Sequence, residues 1–250
     1  MNVWKVRAVA VVAVLAAAAV PARAQSAQEG EAHFNIGLTH LREGRAALAQ
    51  EEFRKALKSD SKNPYFHKAL GISYMQLRKY PEAIEAFRTA LKLNPYYVDV
   101  RNDLGTALLY AGKRDEGKAE LLAAFNEPTN PTPDISARNL GQAYLEEKNF
   151  NEAASWFRSS LGRNNKALDS HLGLAEALQG MSRIDEAQRS LEDSLKVLPN
   201  QPSLLLALGQ AYYAAGRFNE ARARLEEARN RDNGGAVSRR ADELLKQFAK

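Results

Sequence analysis

The chain of 250 residues contains no cysteine. It can therefore form no disulfide, and it has neither a cysteine nucleophile nor a thiolate metal ligand. It also lacks a phosphate-binding glycine loop, a G-x-S-x-G nucleophile elbow and an H-E-x-x-H zinc motif. Its carboxylates are spread over polar stretches, as in Asp115-Glu116 and Asp185-Glu186. We therefore predict a non-catalytic protein without cofactor, metal or small-molecule substrate.

Long apolar runs are also missing. An uncharged run of 13 residues occupies Ala8–Val20, whereas a membrane span needs about 20. Two basic residues precede the run, Lys5 and Arg7, and the small-x-small triplet Ala22-Arg23-Ala24 follows it. This order predicts a secretory signal peptide over residues 1–24, cleaved between Ala24 and Gln25, and hence a periplasmic or secreted protein. The alternative is that residues 3–20 remain as an uncleaved anchor, the one case in which we expect membrane contact.

The chain also lacks a large excess of charge of one sign. The chain has 35 basic and 30 acidic residues, and the signal segment carries three of the basic ones. The mature chain would therefore have a net charge of +2. Nucleic-acid-binding proteins cluster lysine and arginine on one face, whereas both signs alternate here. We expect no nucleic-acid partner.

Small residues recur at a fixed interval along the chain. One series is Gly37, Gly71, Gly105, Gly141, Ala175 and Gly209, and a second is Ala49, Ala83, Gly117, Ala153, Ala187 and Ala221. The second series is spaced by 34, 34, 36, 34 and 34 residues, a period typical of stacked helical hairpins. Small residues such as Gly71 and Ala83 would let the two helices of a hairpin approach closely. The units, repeats 1 to 6, are 30–63, 64–97, 98–131, 134–167, 168–201 and 202–235, and positions are counted from the first residue of each repeat.

The segments around the repeats have their own patterns. Residues 25–29 are predicted to be a short polar linker, and residues 236–250, with an apolar stripe of Leu244, Leu245 and Phe248, a capping helix. A proline-rich connector, residues 126–133, contains a two-residue insertion at 132–133. It would divide repeats 1–3 (30–131) from repeats 4–6 (134–235). It is either a longer loop with unchanged stacking or a pivot between two surfaces.

Residues 30–235 resemble the tetratricopeptide repeat family. Repeat 2 follows the family pattern from Leu70-Gly71-x2-Tyr74 to Ala83-x3-Phe87-x2-Ala90-x4-Pro95. Repeat 3 departs from it most, and repeat 5 has Ala175 in place of glycine. The resemblance implies an all-α, right-handed α-solenoid of six helical hairpins with a C-terminal capping helix.

The four histidines do not indicate a metal site. His33, His67 and His171 share position 4, and His40 takes position 11, where other repeats have tyrosine. A metal site needs ligands that converge on one point. We interpret the histidines as packing residues.

The resemblance also implies where a partner would bind. In this family the first helix of each unit lines a concave groove at positions 2, 5, 9, 12 and 13. The groove candidates are Tyr65, Lys68, Asn102, Thr106, Tyr110, Arg138, Asn139 and Gln142. Some family members hold the C-terminal carboxylate of a peptide with Lys, Asn and Arg, and Lys68, Asn102 and Arg138 faintly match that set. Unspecialised groove binding is the other possibility.

The functional prediction is therefore a scaffold or adaptor of the cell envelope that binds a segment of another envelope or secreted protein. The alternative is a membrane-tethered component of an envelope assembly or secretion complex.

Overall fold

The computed structural model describes residues 25–249, and all regular structure in that range is helical. The predicted signal peptide, including Ala24 of the cleavage site, lies outside the described residues. The helices are α1 (25–42), α2 (Ala46–Ser59), α3 (Pro64–Gln76), α4 (Tyr80–Leu93), α5 (Val98–Tyr110), α6 (Arg114–Asn126), α7 (Pro133–Glu146), α8 (Phe150–Arg163), α9 (Leu168–Gly180), α10 (Ile184–Val197), α11 (Pro202–Ala214), α12 (Phe218–Asp232) and α13 (Ala236–Leu245). A 3-10 turn, Lys246–Ala249, follows α13.

The helices pack in consecutive pairs. Within a repeat the first helix packs on the second, as α3 does on α4 and α7 on α8, and the second then packs on the first helix of the next repeat, as α4 does on α5. The predicted all-α array of hairpins is thus confirmed.

Each hairpin turn contains one residue in the left-handed backbone region, always at position 15. These residues are Gly44, Arg78, Gly112, Lys148, Ser182 and Gly216, with φ between 56° and 78°. The turns between repeats rely on side chains instead. Asp60, Asn94 and Asn164, all at position 31, each accept a hydrogen bond from the backbone N–H two residues later, which is an Asx turn.

The structure adds a second reason for the recurring glycines. A Cβ on Gly71 would lie 2.5 Å from the ring of Phe87, and one on Gly37 would lie 2.5 Å from Phe53. In these repeats the glycine makes room for the aromatic ring at position 24 of the paired helix. The predicted close approach of the backbones is seen in repeat 3, where a Cβ on Gly117 would lie 2.8 Å from the backbone oxygen of Gly105. Two glycines outside the series accommodate rings in the same way, since Gly173 faces Phe157 and Gly180 faces Phe150.

The chain forms two compact units, one up to Gly117 and the other from Lys118 onward. The boundary lies inside α6 and not in the proline-rich connector, which belongs wholly to the second unit. Within the connector, Asn130 donates a hydrogen bond to the Ala124 carbonyl (2.7 Å) and accepts one from the Thr132 amide (2.8 Å). The connector is thus fastened locally, and its role as a pivot stays a prediction.

Residues 25–29 differ from the predicted linker. They form the start of α1, where Gln25 donates a hydrogen bond to Glu29 four residues later (3.3 Å). Ala, Gln and Glu favour helix, and Gly30 is buried close to Ser59 and Phe66. The polar composition reflects an exposed helix surface rather than an irregular linker.

At the other end, α13 packs on α12 through Ala241, which is fully buried. The side chain of Asp232 accepts a hydrogen bond from the Ser238 amide (2.9 Å) and so helps to fix the first turn of α13. Within residues 25–249, no helix combines the length and the apolar character that crossing a membrane requires.

Candidate partner-binding groove

In the second unit, three of the predicted groove residues line one cavity between α7 and α9. Arg138, Asn139 and Gln142 lie on α7, while α9 contributes Asp169, Leu172, Gly173 and Glu176. The cavity has a volume of about 400 Å³, and the ring of Phe157 forms part of its wall. Because Gly173 has no side chain, that ring lies within contact distance of its backbone. The cavity therefore has an apolar wall beneath a polar rim.

The polar rim is held by an ion pair. Arg138 donates from Nη1 to Oδ2 of Asp169 at 2.7 Å and from Nη2 to Oδ1 of Asn139 at 3.4 Å. Gln142, one turn further along α7, donates to Glu146 at 3.3 Å. Since Asp169 is at position 2 of the next repeat, it balances the charge of Arg138 within the groove.

The same pairing occurs in the first unit. Lys68, at position 5 of repeat 2, lies 3.5 Å from Oδ2 of Asp99, at position 2 of repeat 3. Its ammonium group also lies 5.0 Å from the ring centre of Tyr97, a cation–π distance. Tyr65, which is 56% exposed, packs edge-on against Tyr97. Tyr97 therefore contacts both Lys68 and Tyr65.

Burial and charge shift two pKa values around Lys68. Burial raises the pKa of Asp103 to about 6; nearby Lys68 opposes this shift and Asp99 adds to it. Burial, followed by Tyr65, Asp99 and Asp103, raises the pKa of Tyr97 to about 12. Two carboxylates therefore lie near the ammonium group of Lys68 and offset its positive charge at this part of the surface.

The remaining groove candidates lie on α5. Thr106 donates its hydroxyl to the backbone carbonyl of Asn102 (3.1 Å). Tyr110 is 62% exposed and stacks on Tyr80 with ring centres 5.4 Å apart. The suggested carboxylate clamp would combine Lys68 and Asn102 of the first unit with Arg138 of the second, and it stays a prediction.

Three of the four histidines have hydrogen-bond partners, whereas Nδ1 of His40 is buried without one. His67 and His171, both at position 4, each place Nε2 2.9 Å from the backbone carbonyl six residues earlier. His171 also places Nδ1 2.8 Å from the Ser194 hydroxyl. Both residues are buried, they line a cavity of about 410 Å³, and their contact links α9 with α10. His33 lies 2.6 Å from Glu52. Among residues 25–249, no three His, Asp or Glu side chains form a possible metal site.

The sequence did not predict Asp99, Asp103 and Asp169 as groove residues. A signal was available for Asp99 and Asp169, because each follows its basic partner by 31 residues. That spacing links position 5 of one repeat with position 2 of the next, which neighbouring first helices bring together.

Two family models match most of the chain, and both describe the tetratricopeptide repeat (TPR). One matches residues 12–64, 34–98, 68–131 and 102–167, and the other matches 144–202 and 180–245. The chain belongs to the tetratricopeptide repeat family. Membership in a family of TPR scaffolds supports a role in protein interaction.

Relatives of this TPR protein include a pilus protein. The chain is 30% identical over 149 residues to the type IV pilus assembly protein PilF of Pseudomonas aeruginosa, across 59% of each chain. It is 25% identical to the human protein O-mannosyl-transferase TMTC3, over 72% of this chain. The matches span 59% of the length of PilF and 20% of the length of TMTC3.

Solved structures show the same fold. PilW, described as a widely conserved type IV pilus biogenesis factor, superposes with a TM-score of 0.73 at 21% identity, over 88% of this chain and 98% of PilW. The structure of Pseudomonas aeruginosa PilF gives a TM-score of 0.69 at 21% identity, over 91% of this chain and 98% of PilF. These likenesses support the TPR fold.

Proposed function

We propose that this TPR protein is a non-catalytic scaffold of the bacterial cell envelope that binds an extended segment of another envelope protein in its groove. The observation that carries the proposal is the cavity between α7 and α9, where Arg138, Asn139 and Gln142 converge. An apolar wall with a few polar groups at the rim suits a peptide, which offers both side chains and backbone amides.

The envelope location is supported by the predicted signal peptide and by the relatives. PilF is named as a type IV pilus assembly protein and PilW as a pilus biogenesis factor. We propose that this chain acts likewise as an assembly factor or adaptor, with a component of an envelope assembly as its partner. The other groove candidates, Tyr65, Lys68, Asn102, Thr106 and Tyr110, are proposed as a binding surface of the first unit.

Site-specific photo-cross-linking in the native host tests groove binding. A photoreactive residue replaces Gln142 in the groove or, as a matched control, Arg158, an exposed residue on the second helix α8. We expect position 142 to capture a defined envelope protein that position 158 does not. We also expect Glu176→Arg, a change at an exposed residue of the same cavity, to weaken that capture without changing the melting temperature. Equal capture from both positions, or capture that Glu176→Arg leaves intact, would contradict groove binding.

The mass of the intact protein from the same cells tests the location separately. A periplasmic chain beginning at Gln25 is expected. A membrane-bound chain that retains residues 1–24 would instead support the alternative, a component tethered through residues 3–20.

A further inference from the structure

A comparison of the same position in all six repeats singles out the first. Position 7 is aliphatic throughout, and in repeats 2 to 6 its exposure is 8% or less; these residues are Leu70, Leu104, Leu140, Leu174 and Leu208. In repeat 1 the residue is Ile36, which is 47% exposed. Position 3 behaves alike, because Ala32 is exposed while its counterparts in repeats 2 to 6 are buried. Repeat 1 therefore exposes residues that are core elsewhere.

The array itself shows what covers these positions. Phe53 of α2 shares a core cluster with Leu70 of the next repeat, and Phe157 of α8 shares one with Leu174. The second helix of each preceding repeat thus buries position 7. In the part of the chain that the structure describes, α1 has no such helix before it, so that Ile36 is left open.

Position 19 shows that this surface is not merely an unmodified repeat end. In repeats 2 to 6 it is always glutamate: Glu82, Glu116, Glu152, Glu186 and Glu220. A carboxylate there lies in the first turn of the second helix, where the helix dipole favours it. Repeat 1 instead has Leu48, which is 43% exposed. The exchange gives up a favourable charge for an exposed aliphatic side chain.

In other repeats this glutamate faces the preceding second helix. Glu116 lies 3.1 Å from Arg88, at position 25 of repeat 2, and the field of Arg158, at position 25 of repeat 4, helps to lower the pKa of Glu186 after the stronger effect of Arg183. At these two interfaces, position 19 thus meets an arginine at position 25 of the covering helix; at the other three, position 25 is Arg54, Leu122 or Glu192. A helix that covers Leu48 would accordingly need an aliphatic residue where Arg88 and Arg158 stand.

Ile36 and Leu48 belong to one continuous surface. In repeat 2 the residues at positions 7 and 19, Leu70 and Glu82, line the same cavity of about 410 Å³. Equivalent backbone positions in repeat 1 bring Ile36 and Leu48 together, with Ala32 and Ala47 also exposed. We name these four residues the N-terminal end face.

We propose that the N-terminal end face binds an amphipathic helix of a partner protein. The helix would lie as the second helix of a preceding repeat does, with an aliphatic residue at the place of the position-25 arginine. Burial of exposed aliphatic side chains drives this docking. The site differs from the groove and does not depend on the proposed function.

A second copy of this chain fits the face poorly. Its equivalent helix is α12, on which α13 already packs, and position 25 there is Glu226. A head-to-tail contact would place that carboxylate against Leu48. A partner helix with an aliphatic residue avoids both obstacles.

Two stapled helical peptides test the proposal against the chain from Gln25 to Lys250. Both have the sequence of α4, Tyr80–Leu93; one keeps Arg88 and the other carries Arg88→Leu. We expect the leucine peptide to bind about tenfold more tightly, because it buries an aliphatic contact with Leu48. In the Leu48→Glu protein the preference should reverse, since the Arg–Glu pair of the inner repeats is restored. Ile36→Gln should weaken both peptides.

Val197→Glu is the matched control, because Val197 is similarly exposed (38%) on α10 of the second unit. It should leave both affinities unchanged. The proposal is overturned if neither stapled peptide binds at about 1 mM, or if Leu48→Glu does not alter the preference between them. It is also overturned if sedimentation shows a dimer that Leu48→Glu dissociates, because the occupant is then a second copy.

Discussion

At the scale of single residues, the residue at position 15 has a positive φ in every repeat. This conformation is strained in the three repeats with a side chain there and unstrained in the three with glycine. Gly44, Gly112 and Gly216 adopt the left-handed conformation without a Cβ, and no atom lies within 4 Å of where one would be. Arg78, Lys148 and Ser182 adopt the same conformation with a side chain. An L-residue there costs roughly 1–2 kcal/mol.

We predict that Ser182→Gly raises the free energy of unfolding by roughly 0.5–1 kcal/mol, because glycine adopts positive φ without penalty. Gly112→Ala should lower it by roughly 1 kcal/mol for the converse reason. Urea denaturation measures both, and Ser182→Ala, which keeps the strain, is the control. A Ser182→Gly protein less stable than the control would contradict the prediction.

A second residue-scale prediction concerns Asp103, whose pKa rises from 3.8 to about 6 on folding. The folded state then holds the proton more tightly than the unfolded state, so stability falls as pH rises through this window and is lower by roughly 3 kcal/mol at pH 7. Asp103→Asn should remove that loss: we expect it to be more stable than the wild type at pH 7 and similar to it near pH 4. Chemical denaturation from pH 4 to pH 7 tests this, and a constant difference between the proteins would refute it.

Lys68 and Arg138 show what residue patterns reveal about the groove. Their position within the repeat predicted the side of the helix they occupy, because helical periodicity fixes it. The charge around them was not predicted. Asp99 and Asp169 come from the following repeat, and a carboxylate next to the cation changes the surface from positive to balanced. Local patterns do not specify how neighbouring repeats pair their charges.

At the scale of helices, the C-terminal segment completes the last repeat. Phe248 packs edge-on against Tyr213 and Phe218, at centroid distances of 5.3 and 6.3 Å. Arg222 donates a hydrogen bond to the Phe248 carbonyl and lies 5.5 Å from its ring. Inside the array, the aromatic residue at position 17 contacts position 13 of the next repeat, as Tyr80 does with Tyr110. Phe248 supplies that contact for Phe218.

We predict that Phe248→Ala destabilises the protein by roughly 1–2 kcal/mol, because it removes a partly buried ring and two aromatic contacts. Loss of the Phe248 ring should expose more of Phe218, which is already 53% exposed. The fluorescence of a dye that binds exposed apolar surface should therefore increase. Gln247→Ala, one residue earlier on the exposed side of the 3-10 turn, is the control. If both variants unfold at the same urea concentration, Phe248 does not act as a cap.

At the scale of the whole molecule, the two ends of the array differ. The last repeat is covered by α13 and Phe248, whereas the first exposes Ala32, Ile36 and Leu48. Repeat arrays need terminal repeats with polar outer surfaces for solubility. Our proposal accounts for this apolar face as the docking surface of a partner helix.

The 34-residue period by itself determined the fold class and the six hairpins, because each hairpin can bury its apolar side only against its neighbours. The apolar stripe of residues 236–250 predicted the capping helix, and the family resemblance implied that the groove residues lie on the first helices. Only the tertiary structure decided that the ring of Phe87 fills the space beside Gly71, that Asp99 and Asp169 pair with the groove cations, and that within residues 25–249 no helix covers Ile36 as its counterparts are covered. Those outcomes depend on which side chains of different helices meet, and the spacing within one repeat does not encode that.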